Sequence, residues 1–238
     1  GEMKCSFGTG SFLLMNIGDK PKLSQNGLLT TVGWNFSGHT AYAFDGGIFV
    51  TGSAVQWLRD NLKFIPDSAS SHNAANNSKD MGVVVIPALQ GLAAPHWRTD
   101  VQGAMFGLNR STTSDDIVRA TLDGIACRVY EVVTAMSQDS GTPPPYLKVD
   151  GGPAGNPYLM QMIADLLNLE VRVSASVEAT AIGIANLAGV SALGTSFEQL
   201  ANGWKAEKVY MPKMTKEERG KNLEKWNKAL EAVKKFHE

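Results

Sequence analysis

The sequence predicts a mixed α/β domain, with a sheet that starts as an antiparallel meander and continues through strand–helix crossovers. Two observations carry this reading. Three apolar runs near the start are separated only by short turns rich in Gly, Asn, Asp and Pro. Later apolar runs alternate with helical patterns. A third observation points past the fold. Two glycine turns, Phe7-Gly8-Thr9-Gly10 and Val149-Asp150-Gly151-Gly152-Pro153-Ala154-Gly155-Asn156, each follow an apolar strand.

The elements follow in order. Met3–Phe7, Ser11–Ile17 and Leu28–Trp34 read as strands, the first two joined by Gly8-Thr9-Gly10. Thr40–Phe44 reads as a short strand. Gly46–Leu62 has a helical pattern, with Ile48, Val55, Leu58 and Leu62 near one face. Asp67–Asp80 is polar and reads as a surface segment. Val83–Ile86 suits a buried strand, and Ala104–Leu108 a short one. Ser114 is the expected N-cap of a long helix, with Asp115 and Asp116 in its first turn. Its apolar stripe runs from Ile117 to Met136, and Gly141 ends it. Leu147–Val149 is a strand into Gly151-Gly152. Asn156 caps the next helix, with Pro157 at its first position. Val171–Val173 is a strand, and Ala179–Ala188 a small-residue helix. Phe197–Trp204 and Lys216–His237 close the chain as helices.

Composition narrows the function. The chain has 238 residues, is 43% hydrophobic and has a formal net charge of −1. It can bury a sizeable core, and it lacks the basic balance of a protein that binds nucleic acid through charge. The basic stretch from Lys213 to Lys235 is interrupted by Glu217, Glu218, Glu224 and Glu231, and reads as a solvated helix face. Cys5 and Cys127 read as buried thiols of a reducing, cytoplasmic compartment. No run reaches the ~18–20 apolar residues of a membrane span. No histidine or cysteine cluster has metal-ligand spacing.

The two glycine turns carry the chemistry. A Gly-Thr-Gly tip offers backbone N–H groups in a concave arc suited to phosphate oxygens, and Thr9 adds a hydroxyl. Gly8 and Gly10 permit close approach. The plain alternative is an ordinary glycine hairpin. Gly151 and Gly152 end a strand where side chains would block a flat ligand. Asn156 is placed to bond a base or ribose, or to act only as an N-cap. Gly52 and Gln56 lie one helical turn apart and share a face. Their alternatives are helix packing and a surface side chain. Together the turns suggest an ATP site.

Longer stretches resemble a known family. The strand–FGTG–strand unit, Gly52 with Gln56-Trp57-Leu58-Arg59-Asp60, and Pro87-Ala88-Leu89-Gln90-Gly91-Leu92-Ala93-Ala94-Pro95-His96-Trp97 are similar to the C-terminal half of the glycerol kinases, within the FGGY carbohydrate kinases. So are Gly103-Ala104-Met105-Phe106-Gly107-Leu108, Arg119-Ala120-Thr121-Leu122-Asp123-Gly124-Ile125-Ala126, the Val149-Asp150-Gly151-Gly152 turn and Thr180-Ala181-Ile182-Gly183. The resemblance implies an actin-like, ribonuclease-H-like ATPase domain with antiparallel first strands and flanking helices. It implies that residues 1–238 form the nucleotide-binding domain of an enzyme that moves the ATP γ-phosphate to a polyol hydroxyl, with ATP and Mg²⁺. Gly52 and Gln56 would then meet the ribose or phosphates, Asn156 the adenine, and Phe12 the carbon skeleton of glycerol.

The implied partners are a small polyol or sugar and an N-terminal domain of the same protein, with a homo-oligomer left open. Three departures stand out. Arg98 follows Trp97 where the family carries an acid. Pro153 stands where a small residue is usual. The family's catalytic aspartate motif lies upstream of the hairpin and has no match here, so the chain alone is expected to be inactive. Two alternatives remain: another FGGY sugar kinase, xylulokinase-like, or a non-catalytic actin-like nucleotide-binding module.

Overall fold

The computed structural model describes residues 1–36, 38–79, 82–176, 178–196, 198–200 and 204–238. Four antiparallel strands open the chain: β1 (Met3–Phe7), β2 (Ser11–Gly18), β3 (Leu29–Phe36) and β4 (His39–Ile48). Helices α1 (Gly52–Asp60) and α2 (Ser71–Asn77) follow, then β5 (Val84–Ile86) and β6 (Ala104–Phe106), which pair with each other in a separate two-stranded sheet. The long α3 (Ser114–Ser140) leads to β7 (Leu147–Gly151), a 3-10 turn (Gly152–Gly155) and α4 (Pro157–Leu167). The chain ends with β8 (Val171–Ser174), α5 (Ala179–Leu193), β9 (Ala206–Tyr210) and α6 (Lys216–Phe236). The main sheet has seven strands in the order β3-β4-β2-β1-β7-β8-β9. β7 pairs parallel to β1 and to β8, so the meander passes into crossovers as expected.

Alternation sets the sheet's faces. Met3, Cys5 and Phe7 on β1, and Ser11, Leu13 and Met15 on β2, are buried, while Phe12 and Asn16 point the other way and are exposed. Helix α3 lies on the buried face. Its N-cap is Thr113, not the expected Ser114. Thr113 Oγ1 accepts from the Asp116 amide at 3.3 Å, and Asp116 Oδ2 accepts from the Thr113 amide at 2.8 Å. That reciprocal pair satisfies two end amides at once, which a cap at Ser114 would not. Gly141, at φ 84°, ends α3 as expected.

Several boundaries differ from the sequence expectation. The helix expected from Gly46 begins at Gly52, because β4 runs on through Ile48. A side chain at Gly46 would meet Val132 of α3, so the glycine there serves close helix-on-sheet packing inside a strand. The segment expected at the surface, Asp67–Asp80, contains α2, whose Ser71, Ala74 and Ala75 are buried; Asp80 lies outside the described residues. β9 had no counterpart in the sequence reading. α5 runs on past the expected Ala188, and none of its residues is buried. Of the expected helix Phe197–Trp204, residues 197 and 201–203 lie outside the described residues.

Trp97 is 45% exposed, and its indole donates to the Gly27 carbonyl at 2.7 Å. The C-terminal helix α6 is solvated on one face only. Trp226, Ala229, Leu230 and Val233 are buried, and the Trp226 indole donates to Glu131 at 3.0 Å. Glu131 also pairs with Arg128 and with His96 Nε2, the latter at 3.2 Å. Cys5 and Cys127 are buried free thiols, both pushed up chiefly by burial.

Candidate functional site

The first turn is held from behind. At the β1–β2 tip, the carbonyls of Gly8 and Thr9 face the start of α1. The Gly52 amide donates to Gly8 O at 3.1 Å, and the amides of Thr51 and Ser53 both donate to Thr9 O at 3.0 Å. Ser53 Oγ adds a bond to Thr9 O at 2.9 Å. Ser11 Oγ donates to Thr51 Oγ1 at 2.9 Å, which in turn donates to Gly8 O at 3.2 Å. The orphan donors of the α1 N-terminus are therefore taken up by the hairpin, not left for a ligand. With its carbonyls turned inward, the tip presents its other side outward. Among the described residues, the amides of Thr9 and Gly10 donate to nothing, and Thr9 is exposed. Free amides in a fixed arc are what an anionic oxygen needs.

The contact between tip and helix explains Gly52. A Cβ there would land on the Gly8 carbonyl and touch Pro153. The second turn comes to the same place. β7 pairs with β1 so that Gly151 faces Phe7. Gly151 has φ 90°, and a Cβ would strike the Phe7 carbonyl. Gly152, one residue on, has open space where its Cβ would be. Asn156 then caps α4. Its Oδ1 accepts from the Leu159 amide at 3.1 Å, and its Nδ2 donates to Ser71 Oγ at 3.0 Å.

These turns and α2 enclose a cleft of about 730 Å³. Six of the residues singled out in the sequence line it: Gly8, Thr9, Gly52, Gln56, Gly152 and Asn156. Gly10 and Gly151 do not. Both are glycine for packing, since a Cβ on Gly10 would meet the carbonyls of Ile48 and Phe49. Phe12 lies outside the cleft, 63% exposed on the opposite face of β2 from Leu13. No Asp, Glu, Lys or Arg lines the cleft among the described residues. Among them no three His, Cys, Asp or Glu side chains converge on a metal position either.

The sequence reading missed two groups. The hydroxyls of Ser11, Thr51 and Ser53 orient the tip; Ser and Thr flanking a glycine turn were the available signal. Ser68, Ala69, Ser71 and His72 form a wall of the cleft. Nothing in that polar stretch marks it as more than surface.

Residues 3–192 match the model of the FGGY family of carbohydrate kinases, C-terminal domain. A glycerol kinase of Lactococcus lactis subsp. lactis (strain IL1403) is 44% identical over 238 residues, covering 99% of this chain and 48% of that protein. One from Myxococcus xanthus (strain DK1622) is 46% identical over 235 residues, covering 97% of this chain and 47% of that protein. The crystal structure of Plasmodium falciparum glycerol kinase with ADP superposes with a TM-score of 0.89 at 35% identity, covering 97% of this chain and 47% of that one. A ligand-bound xylulose kinase from Lactobacillus acidophilus shares the fold, with a TM-score of 0.81 at 18% identity, covering 97% of this chain and 46% of that one. The chain spans about half the length of each of these relatives.

Proposed function

Because the chain belongs to the FGGY family of carbohydrate kinases, matching its C-terminal domain, we propose that residues 1–238 form the nucleotide-binding half of a glycerol-kinase-type phosphotransferase. In this reading a cytoplasmic enzyme with a second, substrate-binding domain moves the γ-phosphate of ATP to a glycerol hydroxyl. The observation that carries it is the convergence of both glycine turns on one cleft, with unpaired amides at one end. The identity to glycerol kinases, set against the lower identity to the xylulose kinase structure, favours glycerol over a pentulose.

Phosphoryl transfer asks a protein mainly for positioning and charge stabilisation. The Thr9 amide and hydroxyl hold phosphate oxygens, with the unpaired Gly10 amide beside the cleft rather than in its lining. The tip does not need to reorganise, because Thr51 and Ser53 have already fixed its carbonyls. Gln56, next along α1, meets the ribose. Gly152 lets the base lie against the backbone before α4. Phe12, on the opposite face of β2, meets the carbon skeleton of the polyol. The cleft lining holds no charged side chain among the described residues, so Mg²⁺, when bound, would neutralise phosphate charge there without a carboxylate from this lining. The general base comes from the other domain.

The test uses Gly152. A Cβ there meets open space, so Gly152→Val leaves the fold intact while filling the ground on which a base would lie. Calorimetric titration with ADP should show binding to the unmodified chain and about tenfold or weaker binding to the variant, with unchanged melting temperatures. Equal ADP affinity in the two proteins would sink the assignment of this turn.

A further inference from the structure

The two edges of the main sheet are built differently. β9, at one edge, carries Glu207 and Lys208, and Pro212 follows shortly after it. Charge and proline at an edge are common guards against pairing with another chain. β3, at the other edge, is Leu29-Thr30-Thr31-Val32-Gly33-Trp34-Asn35-Phe36, without an acidic or basic side chain. It is rich in Thr, Val and aromatic residues, as strands with a neighbour on each side are, yet it pairs with β4 alone. From Leu29 to Gly33, no backbone amide or carbonyl bonds to anything beyond β4 among the described residues. Leu29 and Val32 are exposed on opposite faces of the strand, so apolar surface flanks the open edge on both sides. Leu23, also exposed, adds to this rim, since the neighbouring Lys22 carbonyl accepts from Thr30 Oγ1 at 2.5 Å.

We propose that β3 is a self-association edge, pairing antiparallel with β3 of a second copy of this chain and joining the two sheets into one. Such a pair is isologous, with the two-fold axis crossing its centre. The central residue then faces its own copy, so a charge there would meet the same charge, and an uncharged strand avoids that. The regular stretch Leu29–Val32 ends at the bulge between Val32 and Trp34. The axis therefore falls at Thr30 or Thr31, where a Thr–Thr cross-strand pair is favourable. β1 and β7, whose ends carry the cleft, lie inside the sheet order, so both clefts stay open in the dimer. The inference does not depend on what the cleft binds.

The experiment compares the unmodified chain, Val32→Lys, and Val209→Lys on the opposite edge. Val32 is 54% exposed and Val209 49%, so each lysine has room, and melting curves check that the fold is kept. Sedimentation velocity over about 1–100 μM should show a dimer of the unmodified chain. Val209→Lys should dimerise as tightly, and Val32→Lys at least about tenfold more weakly, because two lysines then face the same short pairing. Hydrogen exchange at Leu29–Gly33 should slow as concentration rises in the unmodified chain, and not in Val32→Lys. A chain that stays monomeric throughout overturns the proposal. So does a Val32→Lys dimer as tight as the unmodified one, or an equal loss in Val209→Lys. The same measurements on the enzyme with both domains test one other occupant. A monomer there, with the β3 amides protected at every concentration, would give this edge to the second domain and overturn the proposal as well.

Discussion

Two cavities lie on either side of α3, and adjacent residues separate them. Leu122 faces the cleft of about 730 Å³, while Asp123 and Cys127 face a smaller pocket of about 90 Å³ between α3, α4 and α6. The small pocket holds the titratable groups: Asp116, Arg119, Asp123 and Lys225 line it. Burial raises the Asp123 carboxyl to about 6, against the Tyr158 hydroxyl that donates to it at 2.7 Å and the Arg119 guanidinium at 3.8 Å. The side chain keeps about a third of its area open, at 33%, but that area faces the pocket. Among the described residues the cleft has no Asp, Glu, Lys or Arg; its polar groups are backbone amides, hydroxyls, the amide side chains of Gln56 and Asn156, and His72.

A shifted carboxyl in a pocket is often a functional signal. Here it belongs to groups that already satisfy one another: Asp123 has Tyr158 and Arg119, and Asp116 has Thr113 and Ser78. In the cleft the unsatisfied donors point outward. The contrast teaches that a ligand site is better recognised by what is left unpaired than by how strongly its groups are perturbed.

The largest way to break this contrast is at the strand end beneath the cleft. Gly151→Ala would put a Cβ on the Phe7 carbonyl at a positive φ, and should cost about 3 kcal/mol of stability. Urea unfolding measures it. A loss below about 1 kcal/mol would mean that the β1–β7 pairing yields, and the cleft floor is softer than described. Gly152→Val, its neighbour, should leave stability unchanged and remove binding, so the pair separates scaffold from site.

Next in size is Thr9→Ala, measured in the enzyme that carries both domains. Its hydroxyl has no protein partner among the described residues and stands at the hairpin-tip end of the cleft. Turnover should fall about a hundredfold while adenosine affinity stays level. Unchanged kcat with weaker adenosine binding would move Thr9 to the wrong end of the cleft.

The smallest effect tests the smaller pocket. A carboxyl whose folded value of about 6 exceeds the ordinary 3.8 favours the folded state at low pH, and loses that contribution as pH rises through about 6. Asp123→Asn removes the titrating group but keeps an acceptor for Tyr158. Its melting temperature should gain on the unmodified chain between pH 4 and pH 7, with ADP affinity unchanged. A melting difference that does not vary with pH would show that Asp123 is not held above its ordinary range. A change in ADP affinity would show that the two cavities communicate across α3.

What the sequence determined by itself was local. The Gly8–Gly10 tip, the Gly151–Gly152 strand end, the Asn156-Pro157 helix start and the Gly141 stop were all legible, because each is set by residues within a few positions of itself. The order of elements gave the mixed sheet for the same reason. Tertiary structure decided the rest. Gly46 read as helix because a glycine pair followed by an amphipathic stretch has no local mark of a strand; it is Val132, far along the chain, that requires it. Gly10 and Gly151 read as ligand contacts, yet each is glycine because another strand's backbone lies against it. The α2 wall was invisible because Ser71 and His72 are ordinary surface residues until α2 packs on α3 and α4. Burial, and the unpaired nitrogen it leaves at His72, arises from contacts between distant segments, and no window of sequence contains both partners.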